Sequence, residues 1–434
     1  MRKATWIWLG PVCCGLASAC GSSSPGSGDA AAMADRPLVD APRDAAEPTD
    51  GPADAPVPAD AASFRVGPLH ELPLLAPWDP ARPFNHSAEA SIAARGGHIA
   101  VASIHMHFAS ADSFDTTGFH KRVGVVVSHN GGESFGPALD PGVGDQTTDP
   151  VVRSAADGSF FLASWDTAAT ASAGVLARSL DHGDSFQVIV PSAGVGDHGS
   201  MVIDDSEPAV FVLGCSKYRF DGTRLASCAS GGGYPAYVDE HGAHVGAYVV
   251  ELWDGTAAAP VQEGQALPAG AAADLYTLSC AASGRTADGG QWIVRVVREV
   301  TTQLVLRVRH LPADEGADIP LTAAARSVFL PAAALDDSGR LHVIWYDTTG
   351  AQGVLQYARS RSSDLTQGLL PPIVIDPAAL PGSGWYPSFD SAAGGRRVRE
   401  YIEIAVDGNR AHLAWTHAPT APSRVYAAYV EFAP

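Results

Sequence analysis

The feature that most constrains this chain is a short motif that occurs twice, Ser-x-Asp/Asn-x-Gly-x-Ser-Phe. It stands at Ser128, Asn130, Gly132, Ser134 and Phe135, and again at Ser179, Asp181, Gly183, Ser185 and Phe186. The copies are 51 residues apart, room for four strands and their connections, and such self-similarity signals a fold that repeats one supersecondary unit. The motif reads as a hairpin turn. An oxygen of Asn130 or Asp181 can accept N–H groups inside the turn, the glycine supplies a conformation other residues avoid, and the phenylalanine packs beneath. These eight-residue boxes are therefore read as structural.

One full unit can be read around the second copy: Pro150–Ser154, a turn at 155–158, Ser159–Trp165, Gly174–Ser179, the box, and Phe186–Val190. Pairs of apolar strands bounded by turn residues recur at 330–347, 400–417, 89–107, 198–216 and 275–297, as short strands with turn signals should. That makes six units, with the Gly- and Ala-rich runs at 229–247 and 254–273 read as insertions. The last unit lacks a fourth strand after Ser423–Phe432. The segment 64–75 is expected to supply it and so cover an open sheet edge. The expectation is an all-β fold, a six-bladed β-propeller of four-stranded antiparallel blades, with seven blades as the alternative.

At these residues the chain resembles the Asp-box (BNR) propellers of the sialidase-like, or neuraminidase, superfamily. The resemblance implies that each box joins the two outer strands of a blade, away from the mouth. It implies a mouth lined by residues just before inner strands and just after second strands. Inner-strand starts offer Glu89, Asp149, His198, Asp274, Glu400 and Tyr401; second-strand ends offer His105, His107, Asp166, Tyr346, Asp347 and His417. Of these, Asp149, Asp166, His198, Tyr346, Asp347, Tyr401 and His417 are the candidate ligand-binding residues. Such a ring of acids and histidines can hold a hydroxylated ligand or a cation such as calcium; no other cofactor is expected.

In the sialidase mechanism a tyrosine paired with a glutamate attacks, an aspartate serves as acid/base, and three arginines clamp the substrate carboxylate. The resemblance then points to Tyr386 as nucleophile, Glu400 or Glu403 as its partner, and Asp149 as a further catalytic candidate. Arg298, Arg326, Arg396, Arg397 and Arg399 are the candidate clamps. Arg82-Pro83-Phe84 stands where the family carries its first arginine motif and departs from that pattern. The first reading is a propeller that binds a glycan or surface protein at its mouth; the alternative is an exo-acting glycoside hydrolase of the exo-alpha-sialidase kind. No His-Glu-x-x-His or phosphate-binding glycine loop is present.

The N-terminal end reads as an export address. Residues 1–19 form a signal peptide, with Arg2 and Lys3, an apolar run from Trp6, and a small-residue cleavage pattern at Ala17-Ser18-Ala19. Cys20, followed by Gly-Ser-Ser-Ser, resembles the acylated cysteine of bacterial lipoproteins. Residues 20–63 then read as a linker of Ala, Asp, Pro, Gly and Ser that cannot bury enough apolar surface to order itself. The folded part is expected at 64–434. Of the formal net charge of −19, residues 21–63 carry −6 and Arg2 and Lys3 carry +2, leaving about −15 on the folded part. That surface repels phosphates, so nucleic acid is excluded as a partner and membrane contact is expected only through the lipid. A monomer is expected.

Cys215 and Cys228 are centred on Asp221-Gly222, a hairpin signal. Counting outward pairs Phe220 with Thr223 and puts the two cysteines at a non-hydrogen-bonded position close enough for a disulfide. Export favours oxidation, and the closed loop would contribute roughly 3 kcal/mol in the chain-entropy model. Cys280 is left over, and no cysteine pair has metal-ligand spacing.

Overall fold

The structure is a computed structural model. It describes residues 64–82, 84–108, 120–166, 173–193, 201–206, 208–212, 216–227, 235–239, 242–245, 250–253, 261–263, 281–286, 291–298, 302–309, 318–323, 328–381, 402–420 and 422–433. Contacts divide the chain into two units, Met1–Val57 and Pro58–Pro434, and every described residue belongs to the second.

The described residues are all-β, with one 3-10 turn at Leu365–Gln367 and no α-helix. Two short strands lead, β1 (Arg65–Val66) and β2 (His70–Glu71). Sheet one follows with β3 (Phe84–Arg95), β4 (His98–Phe108) and β5 (His120–Ser128). Sheet two is β6 (Thr147–Ser154), β7 (Phe160–Asp166), β8 (Ala173–Ser179) and β9 (Gln187–Val190). Sheet three is β10 (Met201–Asp204), β11 (Ala209–Val212), β12 (Ser216–Arg219) and β13 (Arg224–Ser227). Sheet four is β14 (Pro235–Asp239), β15 (Gly242–Val245), β16 (Val250–Trp253) and β17 (Val261–Glu263). Sheet five is β18 (Ala281–Arg285), β19 (Gln291–Arg298), β20 (Thr302–Arg309) and β21 (Asp318–Pro320). Sheet six is β22 (Val328–Leu335), β23 (Leu341–Asp347), β24 (Gln352–Arg359) and β25 (Ile373–Pro381). Sheet seven is β26 (Glu403–Asp407), β27 (Arg410–His417) and β28 (Arg424–Glu431).

Every sheet is an antiparallel meander in chain order. The first strands touch one another in sequence, β3 to β6, β10, β14, β18, β22 and β26, and β26 returns to β3. Sheets closed into a ring by their first strands make a propeller. The six-blade expectation misses sheet four, which lies in the runs read as insertions; seven sheets are present among the described residues, the alternative count.

Closure at the seam is made by the first residues of the folded part. Arg65 and Val66 pair with Glu431 and Val430, and His70 and Glu71 with Ala427 and Tyr426, so 64–71 occupies the outer edge of sheet seven. Sheet one has no fourth strand among the described residues; a single bridge from Val125 to Leu139 stands in its place. The cores lie within and between sheets, the largest around Trp345, Trp415, Phe329, Tyr346 and Tyr357.

Both boxes form the turns that were expected. In the first, Ser128 Oγ donates to Asn130 Oδ1 (2.9 Å), while the N–H groups of Gly132 and Ser134 bond Ser128 Oγ (2.9 Å) and Asn130 Oδ1 (3.0 Å). The second repeats this with Ser179, Asp181, Gly183 and Ser185. Gly183 has φ +99°, and a Cβ there would stand 2.9 Å from Val127 of sheet one, so the turn can neither twist nor dock with another residue. In sheet three the Asp221-Gly222 turn is one residue longer than expected. Thr223 accepts from Arg219 N rather than pairing with Phe220, and a bulge at Lys217/Tyr218 absorbs the difference, so Ser216 still faces Ser227. Cys215, Cys228 and Cys280 lie outside the described residues, as do Cys20 and the signal peptide.

Candidate functional site

The end of the ring opposite the boxes, where first strands begin and second strands finish, is the mouth. Three first strands carry a bulge at the same register position. Glu89 and Ala90 stand opposite Ser103 alone, Asp149 and Pro150 opposite Ser164, and Leu330 and Pro331 opposite Trp345. The leading residue of each has positive φ: 56° at Glu89, 51° at Asp149 and 48° at Leu330. Side chains with a Cβ adopt that region at a cost of about 1 kcal/mol or more, and a bulge re-aims the side chain that carries it. Leu330 shows that the backbone shape needs no carboxylate. The acids at 89 and 149, on the adjacent strands β3 and β6, are therefore a chemical choice rather than a folding requirement. Both are buried, Glu89 at 0% and Asp149 at 3% exposure, and Asp149 Oδ1 accepts from Thr148 Oγ1 at 3.1 Å.

Immediately below the bulges, the first strands of sheets seven, one and two are stitched by side chains. Glu403 pairs with Arg153 (2.5 Å), accepts from Ser91 Oγ, and accepts from Ile92 N at 2.9 Å, while Ser91 Oγ accepts from Val152 N at 3.0 Å. Glu403 is thus committed to the ring and does not fit the part of a tyrosine's base.

The second-strand ends are less uniform than the resemblance implies. Tyr346 is fully buried, donates to the Thr416 carbonyl at 2.6 Å, and keeps its proton well above the usual tyrosine range because of that burial. Asp347, 4% exposed, caps its own turn by accepting from Thr349 N at 2.9 Å. Tyr346 departs from the expectation of a ligand-binding group, because the aromatic packing of sheet six takes its ring inward; Asp347 is buried to the same degree as Asp149. Asp166 is half-buried opposite Thr147 at the rim.

His105 accepts from Leu75 N and its other nitrogen meets Ser103 Oγ (3.2 Å each), with burial lowering its pKa to about 3. His107 donates from Nδ1 to the Arg82 carbonyl at 2.8 Å under the Trp78 ring, also lowered by burial. Both are neutral parts of the wall.

Of the histidines at the described second-strand ends, His105 and His107 are buried and His417 keeps access to solvent. Its Nδ1 lies 2.7 Å from Asp376 Oδ2, which also accepts from the Trp415 indole at 2.9 Å, while Ala378 N bonds Oδ1 at 3.0 Å. Burial alone would raise the Asp376 carboxyl; the hydrogen bonds from His417 and Trp415 outweigh it and hold the group below the usual carboxylate range. Asp376 therefore fixes the imidazole and leaves Nε2 as its free face. Sequence reasoning found His417 and missed Asp376, which sits on an outer strand of the neighbouring sheet.

Beside this rim a cavity of about 440 Å³ is lined by Leu75, Pro77, Phe84, Asn85, His86 and Arg424, among others. It is largely apolar with a few polar groups, the composition of a small-ligand pocket. His198, Asp274, Tyr386, Glu400 and Tyr401 lie outside the described residues, as do Arg326, Arg396, Arg397 and Arg399. Among the described residues no group of three or more His, Cys, Asp or Glu side chains is arranged to hold a metal ion.

No protein family description matches the chain, and no curated protein matches it. Among solved structures it is similar to a protein of unknown function from Dyadobacter fermentans, with a TM-score of 0.47 at 12% identity over 87% of this chain and 100% of that one. A glycosyl hydrolase from Bacteroides ovatus gives 0.33 at 11% identity over 84% and 94%. The GH43_1 enzyme from Xanthomonas citri complexed with xylose gives 0.33 at 13% identity over 81% and 89%.

Proposed function

We propose that this chain is an exported propeller that acts on glycosides at its mouth, with Glu89 and Asp149 as its pair of carboxylates. The observation that carries the reading is the matched pair of strained bulges: two neighbouring first strands place an acid where a third strand of the same shape places leucine. Hydrolysis of a glycosidic bond asks for two carboxyl groups, one to protonate the leaving oxygen and one to attack or to activate water. In this reading Asp149 and Glu89 divide those roles. His417, held by Asp376, contacts a sugar hydroxyl through Nε2, and the apolar cavity beside Phe84 takes the neighbouring part of the substrate. The sialidase form of the reading assigns the attack to Tyr386 with Glu400 beside it.

A second reading, binding of a glycan or surface protein without turnover, is favoured by the burial of both carboxylates. Release of aryl groups from a panel of glycosides and a sialoside by the purified full chain separates the two. Turnover that disappears in Asp149→Asn and Glu89→Gln supports the hydrolase. Loss in Tyr386→Phe as well selects the sialidase form. Binding on a glycan array without turnover supports the second reading, and neither signal overturns both. We propose further that Cys20 becomes the acylated mature N-terminus, checked by labelling cells with a fatty-acid analogue and comparing Cys20→Ser.

A further inference from the structure

At the opposite end of the ring, the bases of sheets one and two carry three imidazoles that neither the boxes nor the mouth uses. His98 opens β4. His129 lies between Ser128 and Asn130 in the first box, and His182 follows Asp181 in the second, at the left-handed position (φ 60°) that Gly131 holds in the first. His98 Nδ1 is 2.9 Å from His129 Nδ1, and His129 Nε2 is 2.8 Å from Asp184 Oδ1. The His182 ring stacks on His98, with centroids 3.9 Å apart and planes 9° from parallel.

The proton positions follow from the acceptor. Asp184 can only accept, so Nε2 of His129 carries a hydrogen, and Nδ1 is the ring atom left to offer a lone pair. That lone pair faces the same atom of His98. A carboxylate that holds the far nitrogen of an imidazole and so fixes its lone pair is the arrangement found behind metal-ligating histidines.

We propose that His98 and His129 seat one divalent transition-metal ion of the zinc or nickel class through their two Nδ1 atoms, with Asp184 as the orienting carboxylate. Zinc–nitrogen bonds of about 2.0–2.1 Å at a tetrahedral angle require nitrogens about 3.3 Å apart, so the rings open by a few tenths of an ångström. Imidazole suits these ions. The metal-free chain keeps the shared hydrogen on His98 Nδ1; on binding, that hydrogen moves to His98 Nε2, and no net proton is lost. Water completes the coordination, since only two protein nitrogens converge. His182 covers the His98 face as a packing partner. The seat ties the His98 turn to the first box and, through Asp184, to the second. It is independent of any activity at the mouth.

Calorimetric titration of zinc and of nickel into the untagged full chain, with melting curves in parallel, tests this. One ion per chain is expected, lost in His98→Ala and in His129→Ala, weakened about tenfold or more by Asp184→Asn, and retained by His182→Asn, which suits the left-handed backbone there. The metal is expected to raise the melting temperature of the parent and not of His129→Ala. The His129 side chain is 45% exposed, so its removal leaves the core intact, which circular dichroism checks. Absence of saturable binding, or binding unchanged in both alanine variants, overturns the proposal.

Discussion

Sheets one and six share a backbone plan and differ in what they do with it. Each has a bulge at the same place in its first strand, a positive-φ residue leading it, and a long second strand behind. In sheet six the bulge carries Leu330, faces Trp345, and is backed by Tyr346, whose hydroxyl is spent on the Thr416 carbonyl. In sheet one the bulge carries Glu89, faces Ser103, and is backed by His105 and His107. The same strain that seals one sheet with apolar and aromatic bulk presents titratable groups in the other. The difference teaches that the bulge belongs to the fold, while the side chain placed on it belongs to the chemistry.

The sharpest break of the comparison is at the acids. Asp149→Asn and Glu89→Gln are each expected to lower glycoside turnover at least about 100-fold with an unchanged melting temperature, whereas Leu330→Met leaves turnover intact. Trp345→Ala should do the reverse, destabilising by about 3–5 kcal/mol in denaturant titration because a fully packed indole leaves a cavity in the largest core.

Acid probes the buried histidines next. His105, held to about 3 by burial, is neutral when folded and takes up a proton near its ordinary 6.5 when unfolded. The unfolded chain therefore binds more protons between those values, and stability falls as pH drops from about 6.5 toward 3, by up to about 1.4 kcal/mol per pH unit for this group. His412, lowered by burial to about 4, adds to the loss down to that pH. His105→Asn should flatten the melting temperature against pH over this window. Smallest is Tyr346→Phe, expected to cost about 1–2 kcal/mol through the orphaned Thr416 carbonyl, with no change in ligand binding.

Much of the fold is legible in the sequence where turn chemistry is strong. The strands around Asp181 fall within a few residues of where alternation and the box place them, because Asp157-Gly158 and the box leave little freedom of register. Sheet four escaped because it has no box and its short strands stand among Gly- and Ala-rich runs that look like loop. The bulges at Asp149 and Leu330 had a readable signal in Pro150 and Pro331, since proline inside a strand belongs at a bulge; Glu89-Ala90 has none. The site was legible only in part. Tyr346 sits at the expected strand end, yet aromatic packing turned it inward, and Asp376 reaches His417 across a sheet boundary that no local pattern records.

The pairing of Arg65 and Val66 with the last residues of β28 has a mechanical consequence. That end of β28 lies with the boxes, since Arg410, opposite Glu431, reaches the Gly131 carbonyl of the first box. The chain thus joins the ring at the far end from the mouth and runs along the sheet edge toward it. A pull on residue 64 directed away from the mouth runs parallel to β1 and β28. It loads their cross-strand hydrogen bonds in shear, together, rather than peeling them one at a time. Tension between a tether and a ligand held at the mouth would therefore be carried through sheet seven, where the ring is closed.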